Sequence, residues 1–400
     1  MPHTRNRHFY NIFKKKLAFS PVVTIQGPRQ SGKSYFVREI LGSQGDAITY
    51  VTFDHKPTRD FASASPDTFI KQHSDTILAI DEAQKVPDIF DAVKYEVDQN
   101  RRPGRYILLG STEFSREFQI RESMTGRISR MRIFPLNLAE TLELPANPTQ
   151  SGFGLNKKPR VTRKEFLRHL SQGGLPAMFA VRSSSQRDEL VRDWISTTVN
   201  RDLHQFPKIK ADSDLAQEIL QQIAILDNPE AGVVAKMLKR APRRVQQHID
   251  LLEQLFVLQH VAPLPYSTGK NRYFLCDAAI ARELGASFEK QLITQLIIER
   301  LSQGQYSKGA VPNLKYYRSQ KGAVTHLVEE TDKTINAIMI IGEDRIDFEK
   351  LKRMTAFKVK AIKNLAESGI LKSVHLYALT ALQEPVTVHG VKVHPWEAIA

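Results

Sequence analysis

The sequence is poor in cysteine, since Cys276 is the only one among 400 residues. A single cysteine excludes a disulfide-stapled scaffold and a cysteine-based zinc site, and it favours a reducing compartment. No apolar run approaches the roughly 20 residues that a membrane-spanning helix needs. The segment Met1–Ser20 is basic and lacks both the long apolar stretch and the cleavage site of a secretory signal. These absences predict a cytoplasmic protein with no membrane span.

Acidic residues are in the minority. The 43 Asp and Glu residues face 57 Lys and Arg residues, which gives a net charge of +14 and a pI of about 9.7. Such an excess favours a polyanionic partner, either nucleic acid or an anionic membrane surface. A solvated basic surface beside one nucleotide site would produce the same balance, so charge alone leaves both interpretations open.

Residues 27–34 fit the pattern G-x-x-x-x-G-K-[ST] at every fixed position. The segment consists of Gly27, Pro28, Arg29, Gln30, Ser31, Gly32, Lys33 and Ser34. An apolar run, Val22–Ile25, precedes it, and a helix-compatible run, Tyr35–Leu41, follows it. This strand–loop–helix context predicts a phosphate-binding loop for ATP. Lys33 is expected to reach the β- and γ-phosphates, and the Ser34 hydroxyl is expected to ligate Mg²⁺.

Two later strands end in polar side chains. The apolar run Thr76–Ile80 is followed by Asp81, which is expected to support Mg²⁺, and by Glu82, which is expected to orient the attacking water. The run Arg105–Gly110 is followed by Ser111, which is either a contact to the γ-phosphate or an ordinary strand end. Strands that alternate with helices predict a parallel sheet with its ligand at the carboxyl ends of the strands.

These motifs, together with three further segments, resemble one family of prokaryotic AAA-type P-loop ATPases with a C-terminal restriction-endonuclease-like domain of uncharacterised function. The further segments are Asp81–Pro87 (Asp-Glu-Ala-Gln-Lys-Val-Pro), Met124–Arg127 (Met-Thr-Gly-Arg) and Phe134–Glu140 (Phe-Pro-Leu-Asn-Leu-Ala-Glu). The resemblance implies that Arg127 stabilises charge near the γ-phosphate, with Arg116, Arg121 and Arg130 as rivals. It also implies a homo-oligomer, because many AAA-type ATPases use an arginine from a neighbouring subunit.

The middle of the chain predicts a DNA-binding unit. Residues 143–163 are rich in Pro, Gly, Asn and Lys and predict a linker. Residues 164–264 predict a helical and winged-helix region, with a first helix at Ala231–Leu238, a short turn, and a second helix that starts at Pro242. The exposed start of that helix would present Arg243, Arg244 and Gln247 to double-stranded DNA. A winged helix that serves as a packing spacer is the alternative.

The resemblance implies that residues 265–400 form a nuclease-like α/β domain, and the residues present predict that this domain lacks nuclease activity. The resemblance implies an Asp where this chain has His326, and a carboxylate with a Lys on the next strand, where it has Ala337–Ile341. Of the expected metal ligands only Glu289 remains, and one carboxylate is too few for metal-assisted cleavage. Glu343 or Asp344 would substitute only after a shift of register.

The predicted fold is therefore α/β, with a P-loop NTPase domain of the AAA type at residues 1–142. The predicted activity is Mg²⁺-dependent hydrolysis of ATP to ADP and phosphate, coupled to engagement of DNA or of a protein partner through the C-terminal domain. A nucleotide-dependent switch with little hydrolysis is the alternative, and a DNA nuclease is disfavoured.

Overall fold

The computed structural model describes residues 5–41, 47–114, 126–146, 155, 159–206, 209–265, 267–322, 324–330, 334–343, 348–356 and 374–399. It confirms an α/β fold whose first sheet is parallel. That sheet contains β1 (Val22–Gln26), β2 (Ile48–Thr52), β3 (Ile77–Asp81), β4 (Tyr106–Gly110) and β5 (Ile128–Arg132), in the order β2-β3-β4-β1-β5. Every residue of β1 and β4 is buried, as expected for parallel strands covered on both faces.

Six helices accompany this sheet in the described part of the chain. They are α1 (Tyr10–Phe19), α2 (Lys33–Tyr35), α3 (Lys56–Ala64), α4 (Pro66–Lys71), α5 (Asp88–Gln99) and α6 (Leu138–Thr141). The π-helical residues Phe36–Leu41 continue α2, and a 3-10 turn spans Ala83–Lys85. Helix α1 buries Phe13 and Leu17, and the Phe9 ring before it lies 4.4 Å from the Phe36 ring. The N-terminal helix therefore packs on the P-loop helix.

The middle region is helical. It contains α7 (Arg163–Gln172), α8 (Pro176–Phe179), α9 (Ser184–Asn200), a 3-10 turn (Asp202–Gln205), α10 (Ser213–Ile225), α11 (Ala231–Leu238) and α12 (Pro242–Gln254). Lys239 has a left-handed φ of 53° and ends α11, which allows the sharp turn into α12. Glu230, just before α11, forms an isolated antiparallel bridge with Arg272. The predicted bounds of α11 and the predicted start of α12 are both confirmed.

The second sheet has eight strands. They are β6 (Leu258–Pro263), β7 (Arg272–Leu275), β8 (Leu314–Arg318), β9 (Val324–Glu330), β10 (Ile335–Ile340), β11 (Val374–Thr380), β12 (Val386–Val388) and β13 (Val391–Pro395). Their order is β12-β13-β11-β10-β9-β8-β6-β7. Strand β6 pairs antiparallel with β7 and parallel with β8. The boundary predicted between residues 264 and 265 therefore separates two strands of one hairpin.

Two helices and one core join the two sheets. Helix α13 (Ala278–Glu283) precedes the long helix α14 (Phe288–Lys308), residues 348–356 are helical, and a 3-10 turn spans Trp396–Ile399. One buried cluster contains Ile25 of β1, Phe13 of α1, Leu296 of α14 and Ile338 of β10. The P-loop sheet and the C-terminal sheet thus share a hydrophobic core with α14 between them. No helix among the described residues is long and apolar enough to cross a bilayer.

A buried polar contact in this junction gives a testable pH effect. His169 of α7 lies 3.0 Å from Gln295 Nε2 and 3.2 Å from Thr141 Oγ1. Burial lowers the pKa of His169 to about 4, below the value of about 6.5 expected in an unfolded chain. The stability that depends on neutral His169 is therefore complete above about pH 6.5 and is lost as the pH falls toward 4.

We expect His169→Gln to remove the pH-dependent contribution of His169 to the free energy of unfolding. The free energy by which wild type is more stable than the variant should shrink by about 1–3 kcal/mol between pH 7 and pH 4.5, measured by urea unfolding. The comparison with the variant matters because burial raises the pKa of the neighbouring Glu299 to about 7, which has the opposite effect on stability. The exposed His204, changed to Gln, is the control. A difference that stays constant with pH in both variants would contradict the assignment.

Candidate nucleotide-binding site

The P-loop leaves the carboxyl end of β1 and curls tightly before α2 begins at Lys33. A Cβ at Gly27 would lie 2.3 Å from the carbonyl oxygen of Ile133, so only glycine fits there. Gln30 and Gly32 have left-handed φ values of 62° and 92°. A loop that curls in this way ahead of a helix N-terminus presents backbone N–H groups to an anion.

Lys33 is folded back onto its own loop. Its ammonium donates to the carbonyl oxygens of Gly27 and Pro28, at 2.9 Å each. The side chain is buried, and this burial lowers its pKa, while Glu82, Asp81 and Asp202 partly oppose the shift. The hydrogen-bond partners of this buried ammonium are neutral carbonyl oxygens. An anionic ligand that replaced them would stabilise the charge of the lysine.

Asp81, the last residue of β3, links the P-loop to β2. Its Oδ2 atom accepts hydrogen bonds from the Ser34 hydroxyl and from the Tyr50 hydroxyl, at 2.5 Å each. Burial and the bond to Asp81 raise the pKa of Tyr50, which keeps the phenol protonated as a donor. A serine hydroxyl and a carboxylate in contact supply the oxygen ligands that Mg²⁺ takes from proteins beside substrate phosphates. The residues present therefore fit this metal.

Glu82 follows Asp81 in a left-handed conformation with φ of 54°. One of its carboxylate oxygens accepts hydrogen bonds from Gln84 Nε2 at 2.5 Å and from the Ser111 hydroxyl at 3.2 Å. Burial raises the pKa of Glu82, and Asp81 acts in the same direction, whereas Lys33 opposes the shift. The strained backbone and the two donors fix this carboxylate at the edge of the sheet where the P-loop lies.

Several buried polar atoms on or near β1, β3 and β4 have no hydrogen-bond partner among the described residues. They are Thr24 Oγ1, Ser31 Oγ, Gln84 Oε1 and Thr112 Oγ1. Thr24 lies on β1, Ser31 in the P-loop, and Thr112 just after β4, while Gln84 follows Glu82. Buried polar groups normally find a partner, so these four atoms are available to a water molecule or to a polar ligand.

The helical region covers the P-loop. A cavity of about 400 Å³ is lined by Lys33, Ser34 and Glu82 on one side and by Phe36, Pro176 and Phe179 on others. The Trp194 indole of α9 donates to the carbonyl oxygen of Arg29 at 3.2 Å. The Arg29 guanidinium also lies 3.4 Å from the carboxylate of the buried Asp202. The site is therefore built by residues from both the P-loop sheet and the helical region.

Arg127 lies at the wrong end of the sheet for the role that the resemblance implies. It precedes β5, which runs parallel to β1, and its carbonyl oxygen accepts from the N–H of Val22 at the start of β1. Its guanidinium binds Asp98 at 2.6 and 2.8 Å. A five-residue strand spans about 16 Å, so Arg127 cannot reach a phosphate at the P-loop of its own chain. Arg116 and Arg121 lie outside the described residues.

The structure thus brings together Lys33, Ser34, Asp81, Glu82 and Ser111, but not Arg127. Four neighbours of this site were missed, namely Tyr50, Gln84, Trp194 and Asp202. Gln84 carried a signal, because it stands in the Asp-Glu-Ala-Gln segment. The other three come from a different strand or from the helical region, and nothing in their local sequence announces the contact.

The residues predicted to contact DNA lie apart from this site. Arg243 and Arg244 are exposed at the start of α12, and Gln247 is half-buried one turn later. Arg244 binds Asp212 at 2.5 Å, at the start of α10. Arg243 has no ion-pair partner among the described residues.

The expected nuclease position holds a histidine and one carboxylate. His326 Nδ1 on β9 accepts from the N–H of Ile340, and its Nε2 lies 3.9 Å from Glu289. Glu289 also accepts from the N–H of Gly342 at 3.1 Å. Glu343 pairs with Lys350, and Asp344 lies outside the described residues. In the described part of the chain, no three His, Cys, Asp or Glu side chains form a group that could hold a metal ion.

Comparison with known proteins gives two family matches along the chain. Residues 19–142 match a family described as an AAA domain, and residues 163–290 match a domain of unknown function. Uncharacterised proteins of Mycobacterium bovis and Mycobacterium tuberculosis are 24% identical over 340 residues, which cover 79% of this chain and 69% of each relative.

Solved structures are more distant. The Walker-type ATPase PABY2304 of Pyrococcus abyssi is 14% identical with a TM-score of 0.41, over 68% of this chain and 93% of that one. A RuvB structure of Thermotoga maritima is 17% identical with a TM-score of 0.29, over 64% and 90%. The parallel sheet with its P-loop makes residues 19–142 a P-loop NTPase-like domain, and the family match shows that this domain is similar to AAA domains.

Proposed function

We propose that this protein binds ATP with Mg²⁺ at the P-loop and hydrolyses it to ADP and phosphate. The observation that carries the proposal is the contact between Ser34 and Asp81, with the carboxylate of Glu82 beside it. Ser34 follows β1 and the P-loop, and Asp81 ends β3, a strand that is not a neighbour of β1, yet the two side chains meet at one edge of the sheet next to the buried Lys33. Oxygen ligands, a cation and a carboxylate base are the parts that phosphoryl transfer to water needs.

Each residue has a distinct role in this proposal. The loop amides and Lys33 hold the phosphates, and Ser34 and Asp81 hold the metal, which neutralises charge on the phosphate oxygens when bound. Glu82 accepts a proton from water as the water oxygen bonds to the γ-phosphorus, and the bond to the ADP oxygen breaks. Arg29 lines the same cavity and is the P-loop cation, besides Lys33, that can face the phosphates.

Calorimetric titration tests the binding step. We expect the wild-type protein to bind ATP and ADP, with tighter ATP binding in the presence of Mg²⁺ than with EDTA. Metal dependence is expected because the Ser34 and Asp81 oxygens would be ligands of Mg²⁺, and the metal would link them to the phosphate oxygens. Absence of binding to either nucleotide would overturn the proposal.

A nucleotide-dependent switch with little hydrolysis is a second candidate. The observation that favours it is the Glu82 carboxylate, which Gln84 and Ser111 already engage in this structure. Both donors bind the same oxygen, and hydrogen bonds to a carboxylate make it a weaker base for activating water. In this reading nucleotide binding alone changes how the C-terminal domain meets a protein partner.

We further propose that the middle region binds double-stranded DNA. The order of helix α10, the Glu230 bridge, helices α11 and α12, and the β6–β7 hairpin is the order expected of a winged helix and supports this proposal. The exposed Arg243 and Arg244 at the start of α12 support this reading, as does the net charge of +14.

Arg243→Ala combined with Arg244→Ala should weaken binding of duplex DNA. We expect about a tenfold loss and a salt dependence whose slope falls by about two, because two phosphate contacts are removed. Fluorescence anisotropy at several salt concentrations measures both quantities. The matched control is the exposed pair Arg101 and Arg102, also changed to alanine. Equal effects of the two double variants would contradict a specific role for α12.

Two further expectations remain proposals. The pairing of His326 with Glu289 supports a C-terminal domain that has lost nuclease chemistry and serves as an interaction surface for a protein partner.

The position of Arg127, away from its own P-loop, means that a phosphate contact would need a second copy of the chain. We therefore propose a homo-oligomer as the setting in which Arg127 acts.

A further inference from the structure

Arg7, ahead of α1, is a buried arginine that contacts three separate parts of the molecule. Its Nη1 donates to the carbonyl oxygen of Ser31 in the P-loop at 2.8 Å. Its Nε donates to Glu140 at 3.1 Å, and its Nη2 donates to the carbonyl oxygen of Phe134 at 2.8 Å and to the Tyr306 hydroxyl at 3.2 Å. Each guanidinium nitrogen therefore has a partner, and one of these partners is a carboxylate.

The bond to Ser31 controls one peptide of the P-loop. In a trans peptide the carbonyl and the N–H of the next residue point in opposite directions. Because Arg7 holds the Ser31 carbonyl, the N–H of Gly32 is directed away from Arg7. Gly32 lies immediately before Lys33, where the loop presents its N–H groups to phosphate, and a Cβ on it would lie 3.5 Å from Arg7 Nη1.

Tyr306 connects this arginine to α14. Its hydroxyl also accepts from the N–H of Phe134 at 3.0 Å, and its ring lies 5.4 Å from the Phe9 ring. Replacing either partner of such a buried network leaves the other donors and acceptors unsatisfied. A displacement of α14 would therefore move Arg7 and alter its hydrogen bond to the carbonyl oxygen of Ser31.

Tyr306 is the last member of a polar stripe along α14. The stripe consists of Gln295, Glu299, Ser302 and Tyr306, spaced by four, three and four residues, so that all four share one helix face. Glu299 accepts from the N–H of Leu138 at 2.7 Å, and Ser302 lies 3.4 Å from Asn137. One face of α14 thus follows the segment from Phe134 to Thr141 up to the P-loop.

We propose that Arg7 is a positioning residue of the nucleotide site, and that Tyr306 couples helix α14 to the phosphate-binding peptide at residues 31 and 32. This inference rests on the proposed ATP binding. Nucleotide binding that orders the P-loop therefore also orders α14. If ATP changes the affinity of α14 for a partner by some factor, that partner changes the affinity for ATP by the same factor.

The test compares two tyrosines in the full chain. Tyr306→Phe removes one hydroxyl at the P-loop junction, and Tyr316→Phe removes one in the second sheet, where it donates to the carbonyl oxygen of Lys270 at 2.7 Å. Tyr306→Phe loses two hydrogen bonds, from Arg7 and Phe134, and Tyr316→Phe loses one, so both variants should have a lower melting temperature. We expect Tyr306→Phe alone to weaken MgATP binding, by about three- to tenfold, in calorimetric titration.

A second variant and a second measurement strengthen the test. Arg7→Lys keeps the charge but cannot make four hydrogen bonds in these directions, so it should weaken MgATP at least as much as Tyr306→Phe. Hydrogen exchange should show that ATP protects the amides of α14 in wild type and protects them less in Tyr306→Phe.

The outcomes separate this inference from the proposed function. If wild type binds no ATP, the proposed function fails and the inference falls with it. If wild type binds ATP while Tyr306→Phe and Arg7→Lys bind it within twofold of wild type, only the inference is overturned. Equal losses of affinity in Tyr306→Phe and Tyr316→Phe would also overturn it, because a general loss of stability would then explain the effect.

Discussion

Lys33→Ala should abolish nucleotide turnover and weaken ATP binding about 10- to 100-fold, since a charge-assisted hydrogen bond contributes about 1.5–3 kcal/mol. The Lys33 ammonium donates to the carbonyl oxygens of Gly27 and Pro28 in its own loop, at 2.9 Å each. A phosphate would replace these neutral partners with a charged one. Calorimetric titration with MgATP measures the affinity, and phosphate release measures turnover.

An exposed lysine provides the control for this change. Lys56 on α3 is exposed and pairs with Asp60 of the same helix. Lys56→Ala should therefore leave both the affinity for MgATP and the turnover unchanged. A Lys33→Ala protein that binds MgATP as tightly as wild type would remove the P-loop from the account of nucleotide binding.

Glu82→Gln should separate binding from chemistry. We expect turnover to fall by about 100- to 10,000-fold, the usual contribution of a general base. ATP affinity should stay within about threefold of wild type, because glutamine keeps the shape of the side chain and an oxygen that can still accept from Ser111. Single-turnover measurements with a fluorescent ATP analogue can follow both steps in one experiment.

The matched control is Glu39, an exposed glutamate in the helical residues Phe36–Leu41 that follow the P-loop. Glu39→Gln should behave as wild type in both steps. If Glu82→Gln hydrolyses ATP at the wild-type rate, another residue is the base. If wild type and Glu82→Gln are equally slow, the switch reading is favoured over the enzyme.

Local patterns predicted much of the fold. The apolar runs before residues 27, 81 and 110 became β1, β3 and β4, because a parallel strand buried on both faces is written as a continuous apolar segment. Pro242 and the turn before it fixed the start of α12, since proline is favoured in the first helical turn. These features depend on neighbouring residues, so sequence alone reveals them.

Sheet assembly was less accessible. Strand β6 at Leu258–Pro263 has β8 as its parallel partner, about fifty residues later. Pairing with a distant strand leaves no mark on the local pattern, because register depends on the opposing strand. The domain boundary predicted after residue 264, where the local pattern changes to mixed strands and helices, therefore falls within one eight-stranded sheet.

The site shows the same limit. The P-loop and Asp81–Glu82 carry their chemistry in consecutive residues, whereas Arg7 and Tyr306 meet across 299 positions. Arg127 illustrates a different limit, since it lies away from the P-loop of its own chain. Its segment precedes β5, and in a parallel sheet the residue before a strand lies at the edge opposite the ligand. Motif resemblance alone did not take this direction into account.

Steady-state phosphate release from ATP by the wild-type protein, with Mg²⁺ and then with EDTA, tests the central claim most directly. The contact of Ser34 with Asp81, beside Glu82, predicts turnover that requires the metal and stops when EDTA removes it. Tight ATP binding with no phosphate release under either condition would contradict hydrolysis and leave a nucleotide-dependent switch.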